Sequence, residues 1–166
     1  MNFIDYFLSP LGWIEIQASN EAITSVVLCN EPKKMSPCYL ITSSSQPVRY
    51  LSPIISDCIR QLTEYFEGTR TYFDLPILQQ GTDFQQSVWD ALKEIPFGKT
   101  VSYAYVAKKI NNPKSVRAVG AANGKNNVWI IVPCHRVIGS DGSLTGYAGG
   151  IERKKWLLDH EAKNMI

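Results

Sequence analysis

Short apolar runs separated by turn residues fill the first thirty positions. They lie around Phe3, Trp13 and Val26, and the sequence Ser9-Pro10-Leu11-Gly12 separates the first two. Such runs, bounded by Gly, Pro and Ser, are typical of strands in an antiparallel sheet. The pattern predicts two or three strands in a meander. Residues 30–50 are rich in Ser, Pro and Thr and predict a long loop.

A helical period follows this loop. Ser52 can cap a helix, Pro53 suits its first turn and Gly68 suits its exit, so a helix is predicted from about Pro53 to Glu67. Cys58 falls on the apolar stripe of this helix and is interpreted as a small core residue.

Residues 69–81 read as a connector that contains a short extended piece. We therefore place the domain boundary there and expect two small domains, 1–76 and 82–166. The first 80 residues carry five basic and eight acidic side chains, a net charge of −3, so the remainder carries +5. This asymmetry suggests a localised anionic partner, although on charge alone a solvated lysine-rich surface is the favoured explanation.

The second half is predominantly helical by pattern. Thr82 and Gln85 fit a capping box at the start of a helix that ends at Pro96-Phe97-Gly98. Ser102 can cap a short helix that runs through Ile110. Asn112 as cap and Pro113 as first residue predict another helix, which Gly124 ends.

These two short helices form a helix-turn-helix candidate. Lys114, Ser115 and Arg117 lie near the start of the second helix, where a recognition helix presents side chains to DNA. An ordinary helical hairpin packed in the core has the same pattern, so this signal alone decides nothing.

An apolar run, Val128 to Val132, is interpreted as a buried strand that leads into Pro133-Cys134-His135-Arg136. A glycine-rich loop and a last helix from about Glu152 to His160 follow. A thiolate is the reactive form of cysteine, and a neighbouring histidine can accept its proton. Glu161 is a candidate to orient His135. A buried cysteine beside a hydrogen-bonded histidine is the structural alternative.

The remaining cysteines, Cys29, Cys38 and Cys58, show no CxxC spacing, and the first 130 residues contain no histidine. We therefore expect neither a disulfide scaffold nor a metal site. No secretory signal pattern is present, and the longest apolar run is too short to cross a bilayer. The expected location is cytoplasmic, or nuclear in a eukaryote, without membrane association.

The run Ile131 to Gly139, centred on Pro133-Cys134-His135-Arg136, resembles the active-site signature of O6-alkylguanine-DNA alkyltransferases. Further segments resemble that family in the same order. They are Lys99-Thr100-Val101-Ser102-Tyr103, the stretch from Asn112 to Gly120, Gly146-Tyr147-Ala148-Gly149-Gly150 and Trp156-Leu157-Leu158-Asp159-His160-Glu161. The resemblance covers residues 82–161, about half of the chain.

The resemblance implies catalytic roles. Cys134 would accept the alkyl group, and His135 would act as a base through a water with Glu161 polarising it. Asn126 would be the structural asparagine whose hydrogen bonds hold the active-site turn. The family often has proline after this asparagine, whereas Asn127 follows here, a difference that bears on the rigidity of the turn.

Contacts to the nucleic acid follow from the same resemblance. Tyr103 would contact the flipped guanine and help to rotate the phosphate, and Arg117 would fill the gap left in the base stack. The other DNA-binding residues would be Ser115, Lys114 and Ser102, and the substrate pocket would be lined by Val137, Tyr147 and Ala148. Small residues after Arg117 suit the minor groove, where the family places this helix.

The implied fold is α/β (α+β). A small N-terminal antiparallel sheet with a helix, ribonuclease H-like, would precede a mainly helical, winged-helix-like domain. The implied partner is duplex DNA containing O6-alkylguanine, with O4-alkylthymine as a further substrate, bound by a monomer. No cofactor is expected, and each molecule would react once. Some relatives bind structural zinc through N-terminal histidines that are absent here.

Three other functions fit parts of the sequence. A non-catalytic lesion-binding relative would carry tryptophan in place of Cys134. A helix-turn-helix regulator would explain the basic half but not Pro133-Cys134-His135-Arg136. A thiol hydrolase would use Cys134 and His135, but no sequence feature marks its substrate pocket.

Overall fold

The computed structural model describes residues 2–32, 39–41, 47–49 and 52–165. Its strands are β1 (Phe3–Ser9), β2 (Gly12–Ala18), β3 (Ile23–Cys29), β4 (Tyr39–Ile41), β5 (Pro47–Arg49), β6 (Val101–Ser102) and β7 (Val137–Ile138). Its helices are α1 (Pro53–Phe66), α2 (Asp83–Lys93), α3 (Tyr103–Lys109), α4 (Val116–Gly124) and α5 (Ile151–Lys163), with a 3-10 turn at Cys134–Arg136.

The N-terminal part is an antiparallel sheet in the order β1-β2-β3, as the meander prediction requires. Strands β4 and β5 form a separate antiparallel pair within the predicted loop, of which residues 33–38, 42–46 and 50 lie outside the described residues. Together with the helices, this is the mixed α/β architecture expected from the sequence.

Helix α1 packs against this sheet. Ile55, Cys58 and Leu62 are buried on the helix, and Ile16 and Val26 are buried on the strands. The prediction that Cys58 is a core residue is confirmed, and burial raises the pKa of its thiol to about 12. Ser52 does occupy the position before the helix, but its side chain makes no capping hydrogen bond, so the start depends on Pro53.

The edge of β3 joins the two halves of the chain through the backbone. Ile23 N–H donates to the Pro76 carbonyl at 2.8 Å, so part of the connector runs beside β3. Further along the same strand, Val26 exchanges hydrogen bonds with Asn127 and Trp129, both at 2.8 Å. The N-terminal sheet therefore supports the segment that leads to Cys134.

Two of the first three predicted helix starts in the second half are confirmed. Thr82 and Gln85 form the capping box of α2, and the Ser102 hydroxyl accepts the Tyr105 N–H at the start of α3. The third is wrong, because α4 begins at Val116 rather than at Pro113. Residues 112–115 form a turn instead, in which the Ser115 N–H and hydroxyl both donate to the Asn112 carbonyl.

The predicted strand at Val128–Val132 is also wrong. This segment is a buried turn in which Val132 N–H donates to the Val128 carbonyl and Ile130 has a φ of 72°. Its residues are apolar because they are enclosed by other elements, and a short apolar run does not separate that case from a buried strand. The strand adjacent to the cysteine is β7, which pairs in parallel with β6.

The last helix is three residues longer than predicted at its end and starts one residue earlier. Among the described residues, no helix is both long and apolar enough to span a membrane.

Candidate active site

Cys134 is the first residue of the 3-10 turn and is only 3% exposed. Its carbonyl accepts a hydrogen bond from the Asn123 side chain at 3.3 Å. Burial raises the pKa of the Cys134 thiol to about 11, although a hydrogen bond with Asn126 and the charge of Lys154 act in the opposite direction. The resting side chain is therefore a thiol at neutral pH, and it needs a base to become nucleophilic.

His135 is fully buried beside it, with Nε2 2.7 Å from Oε1 of Glu161. Because an ionised carboxylate only accepts hydrogen bonds, Nε2 carries the proton and Nδ1 carries the lone pair. Nδ1 has no partner among the described residues. Burial lowers the pKa of His135, so the ring is neutral and can accept a proton at Nδ1.

Glu161 is the centre of a buried hydrogen-bond network. Besides His135, it accepts two bonds from the Arg136 guanidinium at 2.9 Å, one from the Tyr65 hydroxyl at 2.8 Å and one from the Gly98 N–H at 2.9 Å. Burial raises its pKa, but the bonds and charges of His135 and Arg136 outweigh this effect and hold the pKa well below the ordinary value. Glu161 is thus a carboxylate at any working pH.

Asn126 is buried and uses both ends of its amide. Its Nδ2 donates to the Val132 carbonyl at 2.9 Å, and its Oδ1 accepts from the Val128 N–H and from the Gln79 side chain. Asn127 has no proline ring, but its side chain donates to the Thr24 carbonyl. These contacts attach the turn that precedes Cys134 to the connector and to β3.

Lys154, which the sequence reasoning missed, is completely buried on α5. Its ammonium group donates to the Val137 carbonyl at 2.6 Å and to the Thr145 carbonyl at 3.1 Å, and lies 6.0 Å from the centre of the Tyr103 ring. The Tyr103 hydroxyl also donates to Thr145. No signal in the sequence distinguishes this lysine from the exposed Lys155 beside it.

The proposed pocket residues differ in exposure. Val137 is fully buried, Tyr147 is 9% exposed, and Ala148 lies on the surface. The Tyr147 ring packs at 5.7 Å from that of Trp129, and its buried hydroxyl has no partner among the described residues.

The proposed DNA-binding side chains lie on or next to the helix-turn-helix. Lys114 and Arg117 are exposed, as is the small Ala118. Ser102 and Ser115 already make internal hydrogen bonds at the starts of α3 and α4. The structure therefore places the basic side chains on the surface and the two serines within the motif.

The sequence predicted Cys134, His135, Glu161 and Asn126, and the structure brings them together. It did not predict that Arg136 forms hydrogen bonds to Glu161, although Arg136 lies in the motif around Cys134. It also did not predict Tyr65, which comes from the other half of the chain. Among the described residues no group of three or more His, Cys, Asp or Glu side chains could hold a metal ion, and Cys38 lies outside them.

Two family models match almost the whole chain. The 6-O-methylguanine DNA methyltransferase ribonuclease-like domain matches residues 3–79, and the DNA binding domain of the same family matches residues 83–163. The chain belongs to the 6-O-methylguanine DNA methyltransferase family. The boundary at residues 69–81 stays a prediction of the sequence, as do the limits 1–76 and 82–166.

Individual members of the family are similar over most of their length. A methylated-DNA–protein-cysteine methyltransferase from Methanosarcina barkeri is 53% identical over 98% of this chain and 99% of its own. A methylated-DNA–protein-cysteine methyltransferase from Mycobacterium tuberculosis is 56% identical over 92% of this chain and 88% of its own. The crystal structure of Mycobacterium tuberculosis OGT in complex with DNA is 40% identical with a TM-score of 0.82, over 97% of this chain and 93% of that chain.

Proposed function

We propose that this chain repairs DNA by transferring the alkyl group of O6-alkylguanine irreversibly to the sulfur of Cys134. The reaction class is that of its family, methyl transfer from DNA to a protein cysteine. The observation that carries the choice of residue is the 2.7 Å bond from His135 to Glu161, which leaves Nδ1 of the residue after Cys134 able to accept a proton.

The proposed reaction is an in-line displacement. His135 takes the thiol proton through a water, and Glu161 stabilises the imidazolium that forms. The sulfur attacks the alkyl carbon, an S–C bond forms, and the bond from that carbon to O6 breaks. The electron pair remains on the guanine, which recovers the proton. The thioether is stable, and the proposed mechanism includes no second nucleophile to remove the alkyl group from the sulfur, so each molecule reacts once.

A stacked and paired base does not allow this attack, so the guanine must leave the helix. Extrusion costs a few kcal/mol, less for a poorly paired base. Exposed Arg117 on α4 is suited to fill the gap, and Tyr103 to contact the extruded base. Exposed Ala118 supports an approach of α4 to the minor groove, with Lys114 at the phosphates. Val137, Tyr147 and Ala148 would line the guanine pocket.

The same site would accept O4-alkylthymine, whose alkyl carbon is likewise bonded to an exocyclic oxygen of the base. All proposed catalytic residues come from one chain, which supports a monomer. We also propose that the protein acts in the cytoplasm, or in the nucleus of a eukaryote, because a DNA repair protein must reach its substrate there.

Intact mass measurement tests the acceptor. Purified protein is mixed with duplex DNA that contains one O6-methylguanine, and the products are mapped by peptide. The expected result is one added methylene unit on the Cys134 peptide with equal loss of the lesion. Cys134→Ala should gain nothing, whereas Cys29→Ser should react like the unchanged protein.

Other outcomes identify the alternatives. Binding of the lesion without a mass change would indicate a sensor protein rather than a repair protein. A methyl group on a cysteine other than Cys134 would show that the protein transfers the methyl group but that Cys134 is not its acceptor. Neither binding nor transfer would refute the proposed function.

A further inference from the structure

We infer that Tyr65, from the N-terminal half, is a positioning residue of the alkyl transfer that acts through Glu161. The inference rests on the proposed roles of Cys134 and His135. Its basis is a single buried contact, in which the Tyr65 hydroxyl donates to Oε1 of Glu161 at 2.8 Å. That oxygen is the one to which His135 donates.

Tyr65 is held firmly in place. It is fully buried on α1, and its ring packs edge-on against Phe97 with centres 6.0 Å apart. Its backbone carbonyl lies 2.8 Å from Nε2 of His160, one residue before Glu161. The side chain is thus fixed between α1, the turn that ends at Gly98, and α5, and its hydroxyl can hold Glu161 in one orientation.

The hydroxyl remains a donor throughout the working pH range. Burial, together with the charge and the hydrogen bond of Glu161, raises the pKa of Tyr65 well above its ordinary value. A neutral phenol that donates to Oε1 withdraws negative charge from the atom that faces His135. The bond therefore fixes the direction of the carboxylate and also limits how strongly it holds a proton on the imidazole.

Among the described residues, three charged groups act on His135. Glu161 and Lys154 face it from α5, and Arg136 is its neighbour in the 3-10 turn. Glu161 favours the protonated ring, whereas Arg136 and Lys154 disfavour it. Tyr65 is the contribution of α1, and it reaches His135 only through Glu161. Loss of the hydroxyl should make the carboxylate more strongly attractive to the proton, which shifts the titration of His135 to higher pH.

The test compares Tyr65→Phe with Tyr6→Phe. Tyr6 also donates to a carboxylate, Glu15 at 3.0 Å, but within the β1-β2 pair away from the site. Single-turnover methyl transfer is measured from pH 5.5 to 9, and the imidazole titration of His135 is followed by NMR in free protein. The chain has two histidines, which simplifies assignment.

Tyr65→Phe is expected to fold. The acid limb of its pH–rate profile and the titration of His135 should both move to higher pH. Near neutral pH the rate should fall about tenfold, the effect of losing one hydrogen bond to a buried charge, and less at pH 9. Incorporation of 3-fluorotyrosine at position 65 keeps the ring and strengthens the donor, so it should move both curves in the opposite direction. Tyr6→Phe should leave them unchanged.

Unchanged rates and titration in Tyr65→Phe would overturn the inference. A loss of thermal stability in both phenylalanine variants without a shift in either curve would also overturn it, because the role would then be structural. Absence of transfer in the unchanged protein would refute the proposed function instead, and the titration of His135 would still test the link from Tyr65 to Glu161.

Discussion

The ammonium group of Lys154 lies 2.6 Å from the carbonyl oxygen of Val137, three residues beyond Cys134. This contact places a positive charge within the buried site and ties α5 to the strand that follows the cysteine. The charge lowers the pKa of Cys134 against the effect of burial. Lys154 is therefore expected to favour ionisation of the thiol.

Lys154→Met should make Cys134 less reactive, because a further rise in the pKa of the thiol leaves less thiolate. A rise of one unit means about tenfold less thiolate at neutral pH. The measurement is the rate of iodoacetamide modification of Cys134 against pH, read by peptide mass. Lys155→Met, at an exposed position paired with Asp159, is the control. Equal rates in both variants would contradict the role of the charge.

Glu161→Gln should weaken the folded state, because the Arg136 guanidinium would remain buried without a charged partner. Removing one member of a buried ion pair typically costs about 3–5 kcal/mol. Glu64→Gln removes a partly exposed partner of Arg60 and Arg70 and should cost far less. The free energy of unfolding in urea measures both, and equal losses would show that the buried network adds nothing.

The same carboxylate predicts a pH dependence of stability. The pKa of Glu161 is lower in the folded protein than its ordinary value of 4.5, so the stability it contributes is complete above that value. It is lost progressively as the pH falls from about 4.5 towards the folded pKa. Urea midpoints between pH 6 and 3 should therefore decline more steeply for the unchanged protein than for Glu161→Gln. Parallel curves would contradict the lowered pKa.

Gly98→Ala should damage the site from a distance. Gly98 has a φ of +71°, its added Cβ would collide with the Met165 side chain, and its N–H donates to Glu161. Left-handed backbone costs a residue with a Cβ roughly 1–2 kcal/mol. Gly142→Ala has a similar φ of +83° in open space and should show that cost alone. The unfolding temperature and the transfer rate should therefore both be lower for Gly98→Ala than for Gly142→Ala. Equal values in the two variants would show that Gly98 does not affect the site.

Arg117 and Lys114 should affect DNA binding differently. Arg117→Ala removes the side chain proposed to replace the extruded base, so transfer from duplex DNA should slow more than from a single strand. Lys114→Ala should weaken binding to any duplex and reduce the salt-dependence slope by about one unit. Binding curves at several salt concentrations and single-turnover rates separate the two. An equal effect of Arg117→Ala on both substrates would contradict its role in base extrusion.

Ala148→Leu tests the size of the pocket. Ala148 is small and at the surface, so the site should admit adducts larger than methyl. The leucine variant should transfer a benzyl group more slowly than a methyl group, relative to the unchanged protein. Equal rates for the two adducts in the variant would place Ala148 outside the pocket.

The sequence predicted the candidate site around Cys134 because those residues are adjacent in the chain or lie in motifs with fixed spacing. It also determined the capping box of α2, the start of α3 and the β1-β2-β3 meander, since capping and alternation are local properties. It failed at Val128–Val132 and at the start of α4, where a buried turn and a surface turn satisfy the same local pattern.

The tertiary structure alone decided which distant groups complete the site. Tyr65 contacts Glu161 across 96 positions of sequence, and Lys154 is buried while Lys155 is exposed. No local pattern encodes such contacts, because burial and hydrogen bonding depend on how α1, α5 and the Gly98 turn pack together. The sequence thus names the proposed nucleophile and its proposed base, and packing sets the charges and orientation around them.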